Sequence, residues 1–172
     1  MKIHDIKGLI KLMGGDKGFS NQLQKVFDSK QFDMANEPDI AYPYLFNYIK
    51  GDEWKSQEMV KKLVKEYFQN KPKGLPGNDD TGTMSAWLVY SMMGIYPISP
   101  GDPIYTITTP MFDKITIQLD SKYYKNKSIV IERETNNDGK INEIQLNGKT
   151  INSFFISHDD FVNGKILKVI QN

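Results

Sequence analysis

The sequence predicts an α+β fold, with helices in the first half of the chain and antiparallel strands in the second. Through about residue 95, apolar residues recur at three- and four-residue steps, the spacing of one face of a helix. After Tyr96-Pro97 the pattern changes to apolar–polar alternation, which is typical of half-buried strands. Prolines and a glycine cluster between residues 97 and 103. We therefore predict two domains, residues 1–97 and residues 98–172.

The helical half contains four clear helical segments and one that is interrupted. A helix that begins near Ile3 ends at Gly14-Gly15, and the next apolar series begins at Phe19. A long amphipathic helix follows, and an apolar helix ends at Gly94 as its C-terminal cap. These four helices are predicted over residues 3–13, 19–27, 52–68 and 84–93. Helices in series with short loops match an α/α layout.

The long amphipathic helix should bury one stripe of side chains, formed by Val60, Leu63, Val64, Tyr67 and Phe68. The interrupted segment follows Pro38, which stands where a first helical position is expected. Pro43 interrupts this segment, so a helix here should be kinked or should start late.

The second half contains short strands separated by turn residues. Asn136-Asn-Asp-Gly139 and Asn147-Gly148 are typical hairpin turns. Alternation predicts strands over residues 104–108, 115–119, 128–132, 141–146 and 166–170. Short strands with tight turns of this kind predict a small antiparallel β-sandwich.

Composition excludes several classes of function. The 172 residues carry 22 basic and 21 acidic side chains, a net charge of +1, so the chain lacks the basic excess of a nucleic-acid-binding protein. The sequence contains no cysteine, which excludes thiolate metal sites and a cysteine nucleophile. His4 and His158 are too few for a histidine-rich zinc site. No apolar run approaches the ~20 residues that span a membrane, and the first residues lack the apolar core of a signal peptide.

A Gly/Pro-rich loop, Gly74-Leu-Pro-Gly-Asn-Asp-Asp-Thr-Gly82, places two adjacent carboxylates at the start of an apolar helix. Carboxylates on such a loop can coordinate a hard cation or accept a proton from water. Helix capping by Asp79, Asp80 or Thr81 is the alternative interpretation, because these side chains suit the positive end of a helix.

A second segment, Ala35-Asn-Glu-Pro-Asp-Ile-Ala-Tyr-Pro-Tyr-Leu-Phe-Asn-Tyr48, carries Asn36 and Glu37 directly before an aromatic, apolar run. A carboxylate in this position needs a partner if it is buried. The aromatic side chains Tyr42, Tyr44 and Trp87 are interpreted as packing residues and not as sugar-binding platforms.

These two segments together resemble glycoside hydrolase family 92, the calcium-dependent exo-acting α-mannosidases found largely in bacteria. The resemblance rests on "NEPDIAYPYLFNY" and "GLPGNDDTGTMSAWLVYSMMGIYPISPG", in this order. The flanking stretches "HDIKGLIKLMGG", "PIYTITTPMFDKITIQL" and "FFISHDDFVNGKILKVI" also resemble the family, so the likeness covers nearly the whole chain. The family couples an (α/α)6 toroid to β-sandwich elements.

The resemblance implies an inverting mechanism, in which one carboxylic acid protonates the departing oxygen and a carboxylate activates water on the opposite face. Carried over by position, Asp80 is the general base, and its neighbour Asp79 orients the water or shares that role. By the same resemblance, Asn36 and Glu37 are expected to supply calcium and sugar contacts. The resemblance also implies a substrate contact from Asn78. The implied cofactor is Ca²⁺, and the implied substrate is a mannose-containing glycan with a terminal α-linkage, α-1,2 by default.

The chain also departs from the family pattern. The family's general-acid glutamate lies upstream of the Asn-Glu-Pro segment, and the first 35 residues here contain no glutamate. The predicted helices are also too few for a toroid of about twelve. We therefore expect the C-terminal portion of a family member: the last helices of the toroid, followed by the terminal strands. Alone it should be inactive, with the N-terminal part of the same enzyme as its partner. The resemblance implies an extracellular or periplasmic parent.

Two other hypotheses remain. In the first, the chain is a non-catalytic module that binds carbohydrate through its sheets or serves a structural role. In the second, it is a truncated gene product without activity. Replacing Asp79 and Asp80 would leave sugar affinity unchanged if the strands bind the sugar.

Overall fold

The computed structural model describes residues 3–99, 101–135 and 139–171 and shows a mixed α+β protein. The chain divides into two compact units, Met1–Val89 and Tyr90–Asn172, which we call the helical unit and the sheet unit. In these described ranges, no helix is both long enough and apolar enough to cross a membrane. The predicted turn over 136–139 lies largely outside the described residues.

Four α-helices lie wholly or partly in the helical unit. They are α1 (Ile6–Leu12), α2 (Gly15–Asp28), α3 (Glu53–Tyr67) and α4 (Thr83–Met93), and α4 continues into the sheet unit. A 3₁₀ turn at Ile3–Asp5 precedes α1, whose N-terminus is capped by Asp5 Oδ1 accepting from the Gly8 N–H at 2.8 Å. Gly14 separates α1 from α2 with a φ of +88°, a conformation that glycine adopts without strain.

The interrupted segment does not begin a helix at Pro38. Residues 34–41 form turns, and a 3₁₀ helix runs over Tyr42–Tyr48. Pro43 accounts for this late start. Its ring suits the first helical turn, but proline has no N–H to donate the hydrogen bond that a position inside a helix requires. Tyr44, Leu45 and Phe46 are fully buried on this short helix, so the run of aromatics forms core as predicted.

The predicted stripe on α3 lies on the inner face of that helix. Val60, Leu63 and the adjoining Phe68 are buried, whereas the other two members of the stripe are only partly covered. Trp87 is 1% exposed, stacks on Phe68 with 5.4 Å between ring centroids and meets Tyr44 edge-on at 6.1 Å. Trp87 and Tyr44 are therefore packing residues.

The sheet unit contains two sheets and a short helix. The first sheet has strand order β1 (Ile95–Pro97), β2 (Ile104–Ile107) and β7 (Phe155–Ser157), all antiparallel. The second sheet has five strands in the described residues, and its central strand follows the short helix α5 (His158–Asn163) in the chain; the strand order is β3 (Lys114–Gln118), β4 (Ser128–Thr135), β8 (Ile166–Gln171), β5 (Ile141–Leu146) and β6 (Lys149–Thr150).

The five predicted strands are present, but one pairing in the larger sheet is not antiparallel. Strand β8 enters between β4 and β5, running parallel to β4 and antiparallel to β5. Both sheets and α5 share one apolar core, whose members include Ile107, Ile131 and Leu167, each 0% exposed, and Phe161 from α5. Asn147-Gly148 forms the predicted hairpin turn, with φ values of +52° and +76°.

Candidate functional site

The loop that precedes α4 is held by its own backbone. The Gln69 N–H donates to the Gly74 carbonyl at 2.9 Å, which closes the loop's first turn. A Cβ on Gly74 would lie 1.8 Å from the Gln69 carbonyl oxygen, so only glycine fits this turn. At the other end, Thr81 and Gly82 both have positive φ values, +56° and +87°. The loop thus has a defined path up to the first turn of α4.

Asp79 is committed to holding the start of α4. Its Oδ1 accepts from the Ser85 N–H at 2.8 Å and its Oδ2 accepts from the Ser85 hydroxyl at 2.5 Å. Its carbonyl also accepts from the N–H of Thr83 at 2.8 Å. The hydrogen bonds from Ser85 lower the pKa of Asp79 below its ordinary value, because they favour the charged form. Capping therefore describes what Asp79 does in this structure.

Asp80 has a different environment. Its side chain is exposed, and no group in the described part of the chain hydrogen-bonds or pairs with its carboxylate. Its carbonyl is engaged, because the hydroxyls of Thr81 and Thr83 both donate to it at 2.6 Å. These bonds hold the backbone while leaving the carboxylate free. A carboxylate of this kind can accept a proton from water or bind a cation.

Asn36 and Glu37 lie on a tight turn and are likewise exposed. The Asn36 N–H donates to the Asp33 carbonyl at 3.1 Å, and the Asn36 carbonyl accepts from the Asp39 N–H at 2.9 Å. Neither side chain has a partner among the residues that the structure describes. Because Glu37 is exposed, it does not need the partner that a buried carboxylate would require.

The structure brings the two segments together. A Cβ built on Gly77 would lie 2.8 Å from the Ala35 Cβ, so the loop and the turn are in close contact there. The residue that follows Ala35 is Asn36, so the contact lies directly beside an oxygen donor. A second tie lies in the core, where the Trp87 indole N–H donates to the Ile40 carbonyl at 2.8 Å in a buried hydrogen bond. The candidate site is therefore a pair of packed loops that carry exposed oxygen donors. Asn78, which directly follows Gly77, is one of them.

Calcium fits these donors in type but not in number. Carboxylate and amide oxygens are the ligands that calcium prefers, and it takes six to eight of them. Over residues 3–99, 101–135 and 139–171, the structure groups no three histidine, cysteine, aspartate or glutamate side chains around a possible metal position. Asn36 and Glu37 can thus supply only part of a calcium site.

Three residues near the site were not singled out by the sequence. Ser85 restrains Asp79, while Asp33 and Asp39 shape the turn below Asn36 and Glu37. Asp39 is 8% exposed, and burial together with the Asp39 carboxylate raises the pKa of Tyr42. The sequence offered one signal, which concerns Asp39: it stands at the start of an apolar run, where a buried carboxylate is unusual.

Polar side chains of the sheet unit bond to one another and to the backbone of the same unit. His158 lies between two tyrosines, with Nδ1 at 2.9 Å from the Tyr105 hydroxyl and Nε2 at 3.4 Å from the Tyr124 hydroxyl. A cleft of about 460 Å³ borders the β5–β6 hairpin and β7, but Ser157 on its wall is already engaged in capping α5. These contacts stabilise the unit, and its described residues show no second arrangement like the paired loops.

The family model for the glycosyl hydrolase family 92 catalytic domain matches residues 1–170. An uncharacterized secreted glycosidase from Arthroderma benhamiae is 32% identical over 180 residues, a match that covers 96% of this chain and 21% of that protein. The chain thus spans about a fifth of the length of this relative.

Solved structures agree with this match. A family GH92 α-mannosidase from Bacteroides thetaiotaomicron superposes with a TM-score of 0.87 at 29% identity, covering 99% of this chain and 23% of that one. The same enzyme in complex with mannoimidazole gives 0.85 at 28% identity, covering 99% and 24%. A family GH92 inverting mannosidase from the same organism gives 0.83 at 28% identity, covering 99% and 26%. The chain therefore belongs to glycoside hydrolase family 92 and corresponds to about a quarter of the length of these mannosidases.

Proposed function

We propose that this chain is the C-terminal portion of a calcium-dependent, inverting α-mannosidase that removes terminal α-linked mannose, by default α-1,2-linked, from glycans. In this proposal the helical unit contributes the last helices of an (α/α)6 toroid, and the sheet unit contributes β-sandwich strands. Membership of the family and the inverting mannosidase among the structural relatives support the reaction class.

One observation carries the proposal. The Asp80 carboxylate is exposed and unbonded within the described residues, on a loop that packs at Gly77 against the turn bearing Asn36 and Glu37. Segments distant in sequence thus present a free carboxylate and further oxygen donors from adjoining loops. A hydrolase that activates water beside a hydroxyl-rich substrate needs this combination.

In the proposed mechanism Asp80 is the general base. It accepts a proton from a water molecule as that water attacks the anomeric carbon from the face opposite the departing oxygen. A general acid protonates the departing oxygen, and the anomeric configuration inverts. We assign that acid to a part of the enzyme outside these 172 residues, so the chain alone should release no mannose.

Asp79 supports the base and does not replace it. The two hydrogen bonds from Ser85 occupy its carboxylate oxygens and favour its ionised form. Asp79 thereby holds the first turn of α4 and keeps the neighbouring Asp80 in place. Asn78 stands next to Gly77 on the same loop and is proposed to bind a sugar hydroxyl.

Asn36 and Glu37 would hold calcium together with donors from the rest of the enzyme and from the sugar. When bound, calcium would engage mannose hydroxyls and favour a distorted ring. The two side chains supply this contribution from an exposed turn without having to break internal bonds. We further propose that the enzyme acts outside the cell or in the periplasm, since one relative is described as secreted.

The experiment that tests this proposal measures mannose release from α-1,2-mannobiose. The 172-residue chain and the complete enzyme that contains it are each assayed in excess calcium and in chelator. We expect release only from the complete enzyme, and only with calcium. Release by the 172-residue chain alone would contradict an acid outside these residues. Calcium-independent release by the complete enzyme would contradict the metal assignment.

A further inference from the structure

The turn that presents Asn36 and Glu37 is held by hydrogen bonds within residues 33–39. Both side chains are exposed and unbonded in the described part of the chain, so their positions depend on the backbone beneath them. The turn's own backbone bonds include one from Asn36 to the Asp33 carbonyl and one from Asp39 to the Asn36 carbonyl. Holding such a turn in one conformation costs conformational entropy, which each further bond to its backbone helps to offset.

Asp39 provides a further bond from its buried side chain. Its Oδ2 accepts from the Asp33 N–H at 3.0 Å, which binds the entry of the turn to its exit. The Tyr42 side chain also hydrogen-bonds this carboxylate, which ties it to the 3₁₀ helix that follows. Asp33 in turn uses its own Oδ1 to accept from the Ala35 N–H at 2.9 Å.

Burial separates Asp39 from the other acids of the segment. Asp39 is 8% exposed, whereas Asp33 and Glu37 are exposed. A carboxylate so covered cannot reach a ligand at the surface, and its burial is costly unless donors satisfy it. Its carboxylate bonds to the N–H of Asp33 and to the side chain of Tyr42, on opposite flanks of the turn. Asp39 therefore acts on the exposed donors through the backbone.

We infer that Asp39 is a positioning residue whose buried carboxylate, bonded to Asp33 and Tyr42, sets the turn that presents Asn36 and Glu37. The consequence of this positioning, a higher affinity for calcium and substrate, rests on the proposed function. The positioning itself is a property of the chain and can be measured without any activity.

The first measurement is amide hydrogen exchange by NMR on the 172-residue chain. Asp39→Ala removes the acceptor of the Asp33 N–H, so the exchange of the Asp33 and Ala35 amides should accelerate at least ~10-fold, while buried amides of α3 stay protected. Asp39→Asn keeps one acceptor oxygen and should restore most of the protection. Unchanged exchange of these amides in Asp39→Ala would overturn the inference.

The second measurement is the calcium concentration that gives half-maximal mannose release by the complete enzyme. Asp39→Ala should raise it by about 10- to 100-fold, the usual cost of losing a group that orients a metal ligand. Activity should largely return at saturating calcium, and Asp39→Asn should fall between Asp39→Ala and wild type. A purely structural role would lower the yield of folded enzyme without changing the calcium requirement, and that result would also overturn the inference.

Asp52→Asn is the matched control, because Asp52 is also a carboxylate held by side chains of the helical unit, Ser20 and Lys55. It should change neither the exchange of the Asp33 amide nor the calcium requirement. If Asp39→Ala does not fold, Tyr42→Phe removes one of the two bonds and keeps the ring, and it should produce the same changes to a smaller extent. A wild-type enzyme that releases no mannose would refute the proposed function alone, since the exchange experiment decides the positioning independently.

Discussion

Two pairs of adjacent aspartates open helices in this protein, Asp79-Asp80 before α4 and Asp159-Asp160 in α5. In each pair one carboxylate is used locally: Asp79 accepts from Ser85, and Asp160 accepts from the Ser157 hydroxyl at 2.6 Å. In each pair the other side chain is exposed, and its carboxylate has no partner among the described residues. Asp80 and Asp159 therefore resemble each other closely when each is considered by itself.

The difference lies in what precedes each pair. Strand β7 precedes Asp159 in the chain, and its backbone is hydrogen-bonded to β2 in the first sheet. A glycine-rich loop leads into Asp80, and Gly77 on that loop contacts Ala35 beside a second set of oxygen donors. An exposed aspartate at a helix start is thus not evidence of a site by itself. The contact with a second donor-bearing segment distinguishes Asp80.

The largest expected effect tests this distinction directly. In the complete enzyme, Asp80→Asn should lower the rate of mannose release by about 10²- to 10⁴-fold, the usual contribution of a general base. Asp159→Asn, the matched change, should leave the rate unchanged. The rates are measured in excess calcium with α-1,2-mannobiose. Equal losses in both variants, or none in Asp80→Asn, would remove the distinction between the two pairs.

The next effect concerns the aromatic residues that anchor the two helices. Trp87 on α4 and Phe161 on α5 are both buried, so replacing either with alanine should lower the free energy of unfolding of its unit by about 3–5 kcal/mol. Urea unfolding of the 172-residue chain, followed by circular dichroism, measures this loss.

Activity then separates the two anchors. Trp87 also donates to the Ile40 carbonyl, and its loss frees the segment that carries Asn36 and Glu37. Trp87→Ala should therefore lower mannose release per folded molecule, whereas Phe161→Ala should leave it unchanged. The tie between the loops would be unimportant for activity if both variants retained full activity per folded molecule.

The smallest effect is the pH dependence that Asp79 confers. Hydrogen bonds from Ser85 lower the pKa of Asp79 in the folded state. A carboxyl whose folded-state pKa is lowered adds stability above the unfolded-state pKa, about 4, and loses that contribution as pH falls through the folded-state value. In Ser85→Ala the pKa of Asp79 should rise toward its ordinary value, and the loss of stability in acid should become smaller.

NMR titration of the Asp79 carboxyl carbon measures this shift. Ser157→Ala is the control, because it removes the corresponding hydroxyl at α5 and should not change the titration of Asp79. If Asp79 titrates at the same pH in wild type and Ser85→Ala, the Ser85 hydroxyl is not what lowers its pKa.

Much of the fold follows from local patterns. Helical spacing predicted α1 to α4, and alternation predicted the strands β2, β3, β4, β5 and β8. Strands β1, β6 and β7 were not predicted, because two or three residues are too few to show an alternation. Helix α5 was not predicted either, because its six residues make fewer than two helical turns. The parallel pairing of β8 with β4 was also missed, since the direction of a pairing depends on where a strand inserts and not on its own residues.

The candidate site divides in the same way. Asp80, Asn36, Glu37 and Asn78 were chosen from sequence and family resemblance, and their catalytic and calcium-binding roles stay predictions. Helix capping was the alternative interpretation of the loop, with Asp79, Asp80 and Thr81 as the candidate capping residues. The structure assigns it to Asp79 because Ser85, six residues further on, supplies both hydrogen bonds. The only local signal for the burial of Asp39 is its place at the start of an apolar run, and that signal is weak because burial depends on contacts from elsewhere in the chain.

The sequence by itself determined the α+β class, the change of period near Tyr96, the Asn147-Gly148 turn and the end of α4 at Gly94, because each depends on neighbouring residues. Tertiary structure alone decided that Gly77 meets Ala35 and that Trp87 reaches the Ile40 carbonyl 47 residues away. Contacts of this kind form only when distant segments bury a common core, and no local pattern records them. These contacts turn two separate loops into one candidate site.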